Sequence, residues 1–532
     1  MKKSTNYVLA LVLFANLISL GAFAQANPVP YAYTIKAEDL KKHLTFIASD
    51  SLKGRNTGSA EQKVAANYIA DHFKKSGLAP VNGSYFQKVD LVNRSWTKVA
   101  LTIKGKSYDY LGQFMANALA PVAADSKFPI VFAGFGVQQA GFTDFDHLNA
   151  KGKYVLAFEG EAKDAAGNYV LSGTKDPSAF GKGDGWKEKL KRAQGAGAKG
   201  LILISDKAEK DFGNQLRQRQ VMMQRFGNER MVFADVAASP NEAPVLLISS
   251  AMAAEILGTT EADLLAYKAS VAAAKKSMPS KFKSSPISLT IERTEKPVDT
   301  YNVVGYLEGT DKKEEVVILT AHYDHIGISF DGKINNGAND DGSGTVTVME
   351  LAEAFGKAAA EGKRPRRSIL FMTVTGEEKG LLGSEWYSNH PLFPLANTVC
   401  DLNTDMTGRY DEEHMGKPDY IYEIGSDKLS SSLREILVDQ NKKHVGLELD
   451  FRFNDPNDPN RFYYRSDHYN FAKHGIPVAF FFNGVHDDYH QPGDDVEKIE
   501  FDQVQKVGRL VFYMAWEIAN REERLKVDSN KP

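Results

Sequence analysis

Thr320-Ala321-His322-Tyr323-Asp324-His325, followed by Asn336-Gly337-Ala338-Asn339-Asp340-Asp341-Gly342-Ser343-Gly344, is the stretch on which the reading of this chain turns. The apolar, β-branched run Val316-Val317-Ile318-Leu319 reads as a buried strand that delivers His322 to its end. Asp340 follows in a Gly/Asn/Asp turn that opens a helical pattern. A His and an Asp at consecutive strand–loop edges form half of a metal site. A carboxylate pair and another His at later strand ends would complete it.

The later strands supply both. Glu377-Glu378 follow the strand pattern Ser368–Thr375, Asp405 follows Val399–Asn403, and His490 follows Pro477–Phe482. In open α/β sheets, ligands bind outside the carboxyl ends of the strands. Imidazole and carboxylate donors suit zinc. Two ions about 3.5–4 Å apart activate a water and polarise a carbonyl. A carboxylate that is not a ligand must then take the proton, and the Glu377-Glu378 pair can offer one side chain to a metal and one to a water.

The rest of the chain frames that constellation. With 532 residues it holds two or three cores. A net charge of −3 gives no nucleic-acid or polybasic membrane footprint. Lys2-Lys3, the apolar run Tyr7–Leu20 and Ala22-Phe23-Ala24 read as a signal peptide, residues 1–24, with the mature chain starting at Gln25. This implies an exported protein, periplasmic or secreted, with no membrane association after cleavage. The single cysteine, Cys400, excludes an intrachain disulfide and reads as a small buried side chain.

Ala37–Ser49 reads as an amphipathic helix. Gly54-Arg55-Asn56-Thr57-Gly58 reads as a turn, and Ser59 as the cap of a second helix that stops at Gly77. From Phe128 the texture changes: short strands at 129–136, 152–158, 198–204 and 243–249 surround a helix at Trp186–Gln194. No acid–histidine cluster falls there, so it reads as a non-catalytic module. Thr260–Lys276 is Ala-rich and helical, and residues 281–286 read as a linker. Strand–helix alternation from about Ser288 argues a sheet with helices on its faces. The expected division is residues 25–125 as the N-terminal part of a catalytic domain, 126–258 an insert, 259–287 a helical linker, and 288–525 the catalytic domain.

The motifs His322-x-Asp324, Gly337-Ala338-Asn339-Asp340-Asp341-Gly342-Ser343-Gly344, Glu377-Glu378-x-Gly380-Leu381-x-Gly383-Ser384, Asp405-Met406 and His490 resemble the two-zinc aminopeptidase family. That family includes secreted bacterial leucyl aminopeptidases and is related to glutamate carboxypeptidase and the transferrin receptor. Residues 126–258 resemble the protease-associated domain, a β-rich insert of several peptidases. The resemblance implies a mixed α/β zinc-peptidase fold, peptide substrates and two zinc ions per chain. It implies that Asp340 bridges the ions, that His322 and Asp405 bind one, and that Glu378 and His490 bind the other. It further implies Glu377 as general base, Asp324 as support for the His322 ring, Tyr463 as a donor to the oxyanion, and a cis Asp340–Asp341 peptide.

The best-known members carry a disulfide beside that tyrosine. Here Arg461 and Arg465 stand nearby, and Tyr464 competes with Tyr463 for the role. His325, His468, His474 and His486 match no ligand position, and Asp494, four residues past His490, reads as its support. The alternatives left open are a zinc carboxypeptidase, a single-zinc cyclase of the glutaminyl type, and an inactive receptor-like module. The sequence sets no oligomeric state.

Overall fold

The computed structural model describes residues 26–529, except 147, 227–228, 235–241 and 418. The expected signal segment lies outside the described residues. The chain divides into two compact units, one running to Val89 and resuming at Asp299, the other Asp90–Val298.

After a single helical turn at Val29–Ala32, the first unit continues with helices α1 (Ala37–Ile47) and α2 (Ala60–Lys75). Ser59 Oγ accepts from the Gln62 amide and caps α2, as its position predicts. Then come strands β1 (Phe86–Lys88), β2 (Tyr301–Leu307) and β3 (Lys312–His322), helix α3 (Gly344–Ala360), strand β4 (Arg367–Val374) and helix α4 (Leu382–Asn389). Strands β5 (Thr398–Thr404) and β6 (Tyr420–Ile424), helix α5 (Ser431–His444), strands β7 (Glu448–Asp450) and β8 (Val478–Phe482) and helix α6 (Phe501–Asn520) complete it.

The eight strands form one mixed sheet in the order β1-β2-β4-β3-β5-β8-β6-β7. Its centre, β4-β3-β5-β8, is parallel. Parallel strands are covered on both faces and read as continuous apolar runs. Successive side chains of β3 point to opposite faces. Val317 and Leu319 therefore join a core with α1, α2, α3 and α6, while Val316 and Ile318 join one with Tyr387 of α4 and Phe471. Burying each such side chain stabilises the fold by about 1.5–3 kcal/mol. The register pairs His322 with Val374, Thr320 with Asn403, and Asn403 with Phe480. The carboxyl ends of the four parallel strands thus lie in line.

The second unit contains residues 126–258, the expected insert, and extends beyond them on both sides, from Asp90 to Val298. Strands Leu91–Ile103 and Ile287–Val298 pair antiparallel along their length, within a sheet that also holds Glu229–Phe233 and Val122–Phe128. A five-stranded sheet (Phe114–Ala118, Val245–Ile248, Gly200–Ile204, Tyr154–Phe158, Ile130–Phe132) holds the strands read from sequence. The stretch expected as a helical linker is part of this unit. Its helix Glu261–Ala274 starts at a capping box made by Thr260 and Asp263 and buries Leu264 and Val271.

Candidate metal centre

Four strand ends deliver the cluster. His322 is the last residue of β3, and Asp405 directly follows β5. Glu377 and Glu378 sit in a short turn after β4, entered through Gly376 at φ +70°. His490 arrives on the segment after β8, and Asp340 on the wide turn before α3.

The Asp340 carboxylate lies between two imidazoles. Its Oδ1 is 3.2 Å from His322 Nε2 and its Oδ2 3.1 Å from His490 Nε2. His490 Nε2 is also 3.1 Å from Glu378 Oε2. His322 Nε2 lies 3.7 Å from Asp405 Oδ1 and 3.8 Å from Glu377 Oε2. Every sequence-predicted ligand thus converges on one place. The Asp340–Asp341 peptide is cis.

Supporting contacts orient these groups. His322 Nδ1 donates to the Asp324 main-chain carbonyl at 3.0 Å, which leaves the Nε2 lone pair facing the cluster. Asp324, expected to support that ring, does so through its main chain, with its carboxylate 3.9 Å away. The carboxylate instead accepts from Thr57 Oγ1 at 2.6 Å and from the Glu377 amide at 3.2 Å. Ser466 Oγ donates to Asp405 Oδ2 at 2.8 Å. Asp494 supports the Asp340 turn rather than His490, accepting from the amides of Asn339 and Asp340.

The donor set fits metal ions. His322 Nε2, Asp405 Oδ1 and Glu378 Oε1 are buried without a hydrogen-bond partner. Unpaired buried polar atoms are costly, and a cation would satisfy them. Two donor groups, His322 with Asp341 and Asp405, and His325 with Asp340 and Glu378, each bring their donor atoms within 4.8 Å of one another. Asp341 is already engaged: Oδ2 accepts from the His322 amide, and Oδ1 from the amides of Gly344 and Met406. It braces the loops.

The electrostatics agree. Burial favours neutral Asp340, yet His322 and His490 hold it well below the usual carboxylate range. Burial opposes charge on His490, yet Asp340 and Glu378 lift it to about 10. Burial raises Glu377 well above a normal Glu, despite His322, with Glu378, Asp467 and Asp405 adding to the rise. So many acids in one buried place call for added positive charge.

A cleft opens here, lined by Asp340, Glu377, Asp405, Arg465 and Tyr489, with an apolar wall of Met406, Phe462, Phe480, Phe482 and Val485. Tyr463 is not among its lining residues. Its ring packs instead against Tyr464, His468 and Tyr469, with Lys428 Nζ 4.9 Å from its centroid. Tyr464 is also absent from the cleft and 39% exposed. The sequence reading missed Tyr489, whose position just before His490 was the available signal. It named His325 and Arg55 but gave neither a place in the cluster; His325 Nδ1 lies 2.7 Å from Glu378 Oε1, and Arg55 donates to the carbonyls of Tyr323, Asn336 and Gly337.

A parallel-centred sheet carrying this donor set at its carboxyl edge belongs to a zinc-dependent peptidase. Residues 302–515 match the family model of peptidase family M28. The chain is 23% identical to aminopeptidase YwaD of Bacillus subtilis (strain 168), over 99% of this chain and 96% of that protein. A probable leucine aminopeptidase of Arthroderma otae is 28% identical, over 39% of this chain and 55% of that one. Among solved structures, an aminopeptidase from Aneurinibacillus sp. strain AM-1 is similar in fold, with TM-score 0.51 and 18% identity over 94% of this chain and 98% of that one. The match to peptidase family M28 thus covers residues 302–515, the stretch that carries every residue of the cluster.

Proposed function

We propose that this protein removes N-terminal residues from peptides, and that two zinc ions would be held by His322 and Asp405 and by Glu378 and His490, with Asp340 shared between the two pairs. The observation that carries this reading is the Asp340 carboxylate, with one oxygen 3.2 Å from His322 and the other 3.1 Å from His490. When bound, the zinc pair supplies Lewis acidity at the scissile carbonyl and a water of lowered pKa.

Glu377 is the general base. It lines the cleft, and its raised proton affinity suits a group that takes a proton from the attacking water and returns it to the leaving amine. Asp324 holds its amide and so fixes the base against the ligands. Tyr489 takes the place expected for Tyr463, since its hydroxyl-bearing ring lines the cleft and stacks on His490 at 4.0 Å. The apolar wall favours a substrate with a large apolar first side chain. Arg465, in the same cleft, favours a second reading as a carboxypeptidase, because a guanidinium can pair with a terminal carboxylate.

Among the described residues no helix is long and apolar enough to cross a membrane. The Lys2–Ala24 pattern supports export to the periplasm or beyond. Among the described residues both donor groups lie between residues 322 and 405, which supports reading the second unit, with residues 126–258 inside it, as non-catalytic.

The test is hydrolysis of leucyl-anilide, its N-acetyl form and an N-blocked peptide with a free carboxylate, before and after chelation and zinc return. Cleavage of the free amine alone, lost on chelation and restored by zinc, is the expected result. Cleavage of the N-blocked peptide from its carboxyl end would replace this reading by the second.

A further inference from the structure

His325 is fully buried and has no place in the ligand assignment above. Neither ring nitrogen has a hydrogen-bond partner. A buried imidazole without partners is rare, because each unpaired nitrogen forfeits its hydration. Yet Nδ1 lies 2.7 Å from Glu378 Oε1 and 3.9 Å from Asp340 Oδ2. At 2.7 Å the imidazole and the carboxylate also stand at ion-pair distance. With Asp340, the two residues bring their donor atoms within 4.8 Å of one another, a spacing that one ion can span.

The surrounding chain makes room for this ring. Gly337 has φ +59°, and a Cβ there would stand 2.5 Å from the Cγ and Cδ2 of His325. Any side chain at 337 would push the imidazole out of its position. The ring faces His490 across the same two carboxylates, with centroids 5.7 Å apart. The two differ in access: the His490 side chain is 35% exposed and that of His325 fully buried.

We propose that His325 is an additional nitrogen ligand, through Nδ1, of the ion held by Glu378, Asp340 and His490. That half of the centre then carries two imidazoles, one inside and one at the surface. Ligation through Nδ1 would use the ring with its hydrogen on Nε2. The second imidazole makes this ion the more tightly held of the two.

The inference rests on the two-zinc reading, and the experiment separates them. Zinc X-ray absorption on the full wild-type chain loaded with two equivalents counts imidazoles per ion. Three over two ions is expected with His325 bound, and two without it. Zinc affinities follow by chelator competition for wild type, His325→Gln and His325→Ala. A fall of about tenfold or more at one ion, with the other unchanged, is expected, together with loss of one imidazole from the count. Two imidazoles in the wild type, or variants that keep both affinities, overturns the proposal and leaves the two-zinc reading standing. Should the variants fail to fold, the wild-type count decides alone. A wild type that binds no zinc overturns both.

Discussion

The His322 ring is held by the main chain of Asp324, not by its side chain: Nδ1 donates to the carbonyl at 3.0 Å, while the carboxylate stands 3.9 Å off. The carboxylate serves the Glu377 amide and Thr57 instead. Asp324→Asn is therefore expected to keep two zinc ions, since the backbone still fixes His322. Turnover should fall about 10–100-fold, because an amide oxygen cannot replace both carboxylate contacts. Metal analysis and kcat measured together check this; loss of zinc in the variant would show that the side chain holds the ligand.

Arg55 ties the N-terminal turn to both ligand loops. Its buried guanidinium donates to the carbonyls of Tyr323, Ile47, Asn336 and Gly337. A lysine there cannot reach four acceptors in that fork. Arg55→Lys is expected to destabilise the metal-free protein by about 1.5–3 kcal/mol, the scale of a lost charged hydrogen bond. Urea unfolding in the presence of chelator reads it, and an unchanged midpoint would count against the clamp.

Tyr489 and Tyr463 make opposite predictions. Tyr489 lines the cleft, and Tyr463 is packed among other rings. Tyr489→Phe should lower kcat by about 10²–10³-fold, the usual cost of one oxyanion donor, with KM little changed. Tyr463→Phe should stay within a few-fold of wild type. The reverse pattern would restore the assignment drawn from the family resemblance.

A pH dependence follows from Glu350 on α3 and His43 on α1, 3.5 Å apart and remote from the metal ligands. Burial, with Glu353 and Asp39, raises Glu350 to about 8; burial, with His72 and Lys42, lowers His43 to about 4. The folded state thus favours both groups neutral. Ionising Glu350 costs stability as pH rises from about 4.5 through 8, and protonating His43 costs stability as pH falls from about 6.5 through 4. Glu350→Gln should match wild type near pH 5 and exceed it increasingly toward pH 9. A difference independent of pH, read by denaturant midpoints, would contradict this.

Much of the catalytic unit was legible because its signals are local. The run Val316–Leu319 is apolar on both faces, and His322, Glu377, Glu378 and Asp405 lie at or just past strand ends. The second unit was less legible. Leu91–Ile103 is half exposed and finds its partner Ile287–Val298 almost two hundred residues later, a pairing no local pattern reports. Helix Glu209–Phe226 escaped notice because its charged sequence buries little beyond Phe212 and Leu216. Within the site, residue types pointed to the side chains that cluster but not to which atoms meet. That His322 is held by a carbonyl, and that Arg55 spans loops almost three hundred residues away, depends on chain geometry.

The most direct measurement is zinc content and leucyl-anilide hydrolysis for wild type and Glu377→Ala side by side. Two zinc ions in both proteins, with turnover lowered by about 10²–10⁴-fold in the variant, is the expected result for a base that does not hold the metal. Undiminished turnover, or loss of zinc on removing Glu377, would contradict it.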